Sequence, residues 1–104
     1  PLSGTESVAR DLPRVLQIAA PSAEDPLYRE QAAWLVPAWE ELLTRDMFVE
    51  THFGAPAFSV VLIGKDGGEK LRRAVPLAPK ELFAIIDAMP MRQAELRDQR
   101  ASEP

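Results

Sequence analysis

Four side chains could do chemistry together, and three of them share one loop. Ser22, Glu24 and Asp25 lie in APSAEDP (Ala20 to Pro26), and His52 is the single histidine of the chain. A serine hydroxyl becomes a nucleophile only beside a base, and a histidine serves as base when a carboxylate orients it. Glu50 is close enough in sequence to orient His52, but no Ser-His-Asp order or spacing ties His52 to the loop. The other reading of the loop is a turn ending in a helix cap. Asp25 can accept from the first free N–H groups of a helix, and Pro26 suits the first helical position. Such a helix start attracts an anion, whereas Glu24 and Asp25 repel one. No catalytic residue is assigned on this basis.

The rest of the composition narrows the chemistry further. The chain has no cysteine, which excludes disulfides, thiolate metal sites and cysteine-based redox turnover. One histidine excludes a multi-histidine metal centre within a single chain. No cofactor is expected. A net charge of −4 gives no sequence-independent attraction to nucleic acid or anionic membranes. No apolar run is long enough for a membrane span, so membrane insertion is not expected either. Lys65-Asp66-Gly67-Gly68 beside Lys70, Arg72 and Arg73 invites a phosphate-loop reading, but the Gly-Lys-Ser/Thr order opening a helix is missing.

These residues must be held by elements that one core can support, since 104 residues suit a single domain. The centre is Phe58 to Val75, FSVVLIGKDGGEKLRRAV. It reads as a β-hairpin with a buried inner strand, a turn at Asp66-Gly67-Gly68 and a charged outer strand protected from pairing. Arg14 to Ala20 reads as a first strand, with Val15, Leu16 and Ile18 placing apolar groups on both faces as a doubly covered strand requires. From Pro26 towards Arg45 a helix carries Tyr28, Ala32, Leu35, Val36, Trp39, Leu42 and Leu43 at core-facing spacing. Trp39 belongs to the core on this count, and Trp34 falls off the stripe as a candidate contact residue. Pro37 predicts a kink, or two stacked helices. Asp46 to Glu50 reads as a short strand or a helical turn, with Thr51 to Gly54 continuing a weak helical pattern. Pro79 opens a further helix with Leu82, Phe83, Ile85, Ile86 and Met89 on its apolar face. Pro90 restarts the chain into a polar last helix, where Arg92, Glu95, Arg97 and Asp98 suit solvent and Met89, Met91 and Leu96 can dock on the domain or on a second copy. Pro1 to Asp11 reads as a frayed lead-in.

A strand, a helix, a further strand, an antiparallel hairpin and a closing helix make a mixed α/β sheet in the minimal thioredoxin-like arrangement. At VVLIGKDGGEKLR (Val60 to Arg72) and PLAPKELFAIIDAMPMRQAELR (Pro76 to Arg97) the chain resembles the bacterial domain of unknown function 4174. RVLQIAAPSAEDPLYREQ (Arg14 to Gln31) is similar to the family's first strand and helix start, and the KDGG turn and DAMPMR stretch are the most specific parts. The family is related to the peroxiredoxin-like P-DUDES domains, and the resemblance implies a thioredoxin-like fold with no established activity. Asp46 to Pro56 is shorter than the family pattern, so the second helix of the fold is expected to be shortened or absent. The resemblance also implies that Ala55–Pro56 could be cis and face the loop after the first strand.

The expected function is therefore binding without redox chemistry, by a soluble domain of cytoplasm or periplasm, monomeric or homodimeric. The expected groove lies between the Pro21 to Pro26 loop and Gly54 to Pro56, with Pro21, Ser22, Glu24, Asp25 and Pro56 contacting a protein or small ligand. The alternatives are an enzyme using Ser22, Glu24, Asp25 or His52, and an oligomerising module using Trp34 or the last helix.

Overall fold

The computed structural model describes residues 13–102, with side chains through Asp98. The expected lead-in at Pro1 to Asp11 lies outside the described residues. The elements are strand β1 (Arg14–Ala20), helix α1 (Pro26–Leu35), a 3₁₀ turn (Val36–Ala38), α2 (Trp39–Thr44), β2 (Met47–Phe53), β3 (Ser59–Ile63), β4 (Glu69–Arg73), α3 (Pro79–Asp87) and α4 (Pro90–Ser102). The strands form one sheet in the order β2-β1-β3-β4. β1 runs parallel to β2 and antiparallel to β3, and β4 closes the hairpin antiparallel to β3. This is a mixed α/β sheet consistent with a minimal thioredoxin-like fold.

β1 sits at the centre but is not doubly covered, which corrects the sequence reading. Arg14, Leu16, Ile18 and Ala20 are buried, while Val15, Gln17 and Ala19 between them are only half-buried. Cross-strand partners share a face, so the open side carries Phe48, Val15 and Ile63 in one row. The next row is Glu50, Gln17, Val61 and Arg72. The physical reason is the short link between β2 and β3. Gly54 to Phe58 leaves no room for the helix that would cover this side, as the shortened middle of the chain predicts. Val61 is nonetheless only 6% exposed. Its cross-strand neighbours Gln17 and Arg72 are long, and their stems shield it.

The core cluster lies on the other face. Leu16, Ile18, Val60, Leu62 and Met47 from the sheet meet Leu35, Leu42, Leu82 and Ile86 from the helices, with Leu77 from the linker. Pro37 does not kink one helix. It falls in the 3₁₀ turn between two helices. A 3₁₀ turn has three residues per turn, so it shifts the phase of the stripe. Leu35 and Leu42 are buried as expected, but Val36, Trp39 and Leu43 are turned out to solvent. Trp39 is thus not a core residue.

The segment from Asp46 resolves as strand, not helix, and runs through Thr51 and His52 to Phe53. Asp46 enters it at φ 53° and Gly54 leaves it at φ 89°. These positive values stop the strand at each end. The Asp66 carboxylate accepts from Gly68 N–H at 2.9 Å, and Gly67 at φ 83° supplies the reversal between β3 and β4.

Two polar devices join distant parts of the chain. Gln31 on α1 is fully buried; its amide nitrogen donates to Leu77 C=O at 3.0 Å and its amide oxygen accepts from Leu77 N–H at 2.7 Å. The second device corrects the picture of α4 as a solvated helix. Arg14 points from β1 into the helix layer, 1% exposed, and meets the Glu95 carboxylate with both terminal nitrogens at 3.3 and 3.4 Å. Arg92 and Lys65 reach the same carboxylate at 3.3 and 2.9 Å. Arg14 also donates to Arg45 C=O at 2.6 Å. Arg45 in turn grips Asp87 with two hydrogen bonds, 3.0 and 2.8 Å, and stacks over the Phe83 ring at 4.2 Å.

Burial raises the tendency of Glu95 to hold a proton, but Lys65, Arg14 and Arg92 outweigh it, leaving the carboxyl below its ordinary 4.5. The Arg45 hydrogen bonds hold Asp87 below its ordinary 3.8. Depressed folded-state values mean stability that is present above the unfolded values and lost as pH falls through the folded ones. Urea titrations at decreasing pH are expected to show stability dropping below about pH 4.5, with a flatter drop in Glu95→Gln and Asp87→Asn. Glu95→Ala leaves Arg14 buried without its counter-charge and is expected to cost about 3 kcal/mol or more in the same titrations at neutral pH. Gln31→Leu strands both polar groups of Leu77 and is expected to cost about 2 kcal/mol.

Candidate functional site

The Pro21 to Pro26 loop follows β1, and Gly54 to Pro56 follows β2, its parallel neighbour. The two loops therefore leave the sheet at the same end. Gly54 N–H donates to Pro21 C=O at 3.1 Å and Ala55 N–H to Ala20 C=O at 3.2 Å. The expected neighbours are thus in contact. No peptide bond among the described residues is cis, so Ala55–Pro56 is trans, contrary to the geometry the resemblance implied.

Within the loop, Asp25 is the N-cap of α1, its carboxylate accepting from Tyr28 N–H at 3.0 Å with Pro26 at the first helical position. Ser22 Oγ accepts from Glu24 N–H at 3.3 Å, a local turn. Glu24 is exposed. The turn-and-cap reading of these residues is what the geometry shows.

His52 belongs to another surface. Its register partner is Ala19, so it stands on the open face of the sheet, and its Nε2 lies 2.9 Å from a Glu50 oxygen. Gln17 donates to that same oxygen at 3.1 Å. The His52 contact, assisted by Gln17, lowers the Glu50 carboxyl from its ordinary 4.5. His52 is thus paired with a carboxylate, as a general base would be, but its partner is Glu50 and not a loop residue. The hydrogen bonds of Ser22, Asp25 and His52 each run to different groups, and the loop and the histidine do not assemble a nucleophile with a base.

A further concavity lies apart from both loops and from His52. A groove of ≈ 1130 Å³ runs between the α1–α2 pair and α3, lined by Trp34, Pro37, Trp39, Arg45, Phe83 and Asp87 among others. Trp34 is 38% and Trp39 49% exposed, and Val36 beside them 74%. Glu40, Glu41 and Lys80 stand at its rim. Trp34 was legible as an off-stripe residue. Trp39 and Val36 were not, because the phase change at Pro37 cannot be read from helical spacing. Among the described residues no three His, Cys, Asp or Glu side chains come together to hold a metal ion, and no helix is long and apolar enough to cross a membrane.

If Asp25 acts only as a cap, Asp25→Ala is expected to cost about 1 kcal/mol in thermal or urea unfolding, while Asp25→Asn and Asp25→Ser stay close to wild type. No curated protein and no solved structure matches this chain. Residues 50–95, from the second half of β2 to the Glu95 carboxylate that receives Arg14, match the family model described as Domain of unknown function (DUF4174).

Proposed function

We propose that this is a thioredoxin-like domain that acts by binding a protein segment, without redox chemistry, through the groove walled by Trp34 and Trp39. The single observation that carries this is the exposure of both indoles around one concavity. Tryptophan is a large apolar surface with one polar handle, and exposed indoles in a groove are favoured anchors for a partner. These are the only two tryptophans of the chain. Phe83 with Arg45 stacked on it gives the groove a rigid wall. The Glu40 and Glu41 carboxylates at the rim favour a partner that flanks an apolar anchor with basic residues. The kinship with peroxiredoxin-like P-DUDES domains, implied by the KDGG and DAMPMR stretches, fits this reading. Without cysteine such a shape has no thiol chemistry, which favours recognition as its use.

A second reading is favoured by the hydrogen bonds that bring Gly54 and Ala55 against Ala20 and Pro21. There a small ligand or peptide end would be held by Pro21, Ser22, Glu24, Asp25 and Pro56. One experiment separates the two. Peptides selected from a random display library on the immobilised domain are titrated while Trp fluorescence is followed. Binding that shifts the emission, falls at least about tenfold in Trp34→Ala and Trp39→Ala, and survives Pro56→Ala supports the groove. Loss in Pro56→Ala and Ser22→Ala with the tryptophan variants unchanged supports the loops instead. Failure to select any peptide that depends on either set would overturn both.

A further inference from the structure

Among the described residues the sheet is open along the outer edge of β2. Arg14 N–H donates to Asp46 C=O. Alternation along the strand then turns the backbone groups of Phe48, Glu50 and His52 towards β1 and those of Val49, Thr51 and Phe53 outward. Among the described residues no strand pairs with that side. The opposite edge, β4, is guarded by Glu69, Lys70, Arg72 and Arg73, charges that discourage pairing. β2 has no such guard: Met47–Phe53 reads MFVETHF, without lysine, arginine or proline. An edge of this length and composition is a template for another strand.

The strand that fits is its own reverse. Val49-Glu50-Thr51-His52-Phe53 runs β-branched, acid, threonine, base, aromatic. Turned antiparallel about Thr51, it sets Val49 against Phe53, Glu50 against His52 and Thr51 against Thr51. Each of these is a favourable cross-strand pair. The outward groups also match, because Val49, Thr51 and Phe53 all present N–H and C=O to the edge and fall opposite one another. Glu50 and His52 then occupy the non-hydrogen-bonded positions, where side chains lie closest. Moving the axis to Glu50 would oppose two carboxylates, and moving it to His52 would oppose two imidazoles.

The helix side of this edge is prepared for the same contact. Phe53 shares its face with Ala20 and is 51% exposed, although its ring meets Tyr28 edge-on at 5.0 Å. A cleft of ≈ 150 Å³ lined by Tyr28, Val36, Trp39, Val49 and Thr51 lies beside it. Phe53 of a second copy, placed opposite Val49, meets that cleft, and the two-fold axis repeats the contact.

We propose that two copies of this chain associate through antiparallel pairing of β2 about a two-fold axis at Thr51, merging their sheets into one. This goes beyond the groove reading and does not depend on it. Sedimentation velocity across the micromolar range tests it. The wild-type chain is expected to sediment as a concentration-dependent dimer. Thr51→Pro removes an outward N–H that has no backbone partner among the described residues, so it is expected to give a monomer with an unchanged circular dichroism spectrum. His52→Glu sets carboxylate against carboxylate twice across the axis, Glu50→Lys removes the acceptor facing the imidazole of the second copy, and each is expected to weaken association about tenfold. The double variant restores opposite charges and is expected to recover most of that loss. A chain monomeric throughout, a dimer that Thr51→Pro leaves intact, or a double variant no tighter than the singles would overturn the proposal.

Discussion

The connection from β2 to β3 is the constraint from which most of the structure follows. Between Phe53 and Ser59 the chain can turn but cannot build a helix, so all described helices lie on one side of the sheet. A four-stranded sheet with a single covered face has one layer of apolar core to work with. That accounts for the strict alternation of burial along β1. It also explains why the open side is held by long polar neighbours around Val61 instead of by packing. The hydrophobic driving force available is correspondingly limited, and the fold compensates with specific polar links between its ends.

Those links are unusual in where they sit. Arg14 stands at a position whose strand neighbours on the same face, Leu16 and Ile18, are core residues. An unpaired guanidinium there would be prohibitive. Glu95 makes it tolerable, and Glu95 is in turn shared with Lys65 and Arg92. One carboxylate thus ties β1, the hairpin turn and α4 together, while Asp87 ties α3 to the end of α2 through Arg45. The network selects one arrangement of helices over a sheet that apolar contact alone would leave less specified.

The parts legible in the sequence were those decided by local rules. Asp66-Gly67-Gly68 marked the hairpin because few residues tolerate positive φ. Asp25 and Pro26 marked a helix start, and Pro79 and Pro90 marked two more, because proline suits the first turn. The antiparallel direction of the hairpin followed from the short link between Glu50 and Phe58. What was not legible depended on three dimensions. Thr51-His52 looked helical because short polar stretches carry no strong period, and pairing with β1 made them strand. Trp39 looked buried because a 3₁₀ turn rotated everything after Pro37. Arg92 and Glu95 looked solvated because a charge run gives no sign of a buried cation at the far end of the chain. Of the expected groove the meeting of the two loops was legible, whereas the gathering of the exposed indoles at another concavity was not.

The Arg14 and Glu95 contact spans 81 positions of sequence, and β1 has neighbours only in strands made well after it. Closing so long a loop is an entropic barrier that local helices cannot lower. On a ribosome, the first strand would emerge before β2 and β3, and its buried cation would wait for its counter-ion until α4 had cleared the exit tunnel. The fold therefore closes as a unit once α4 is made, and not strand by strand as the chain grows.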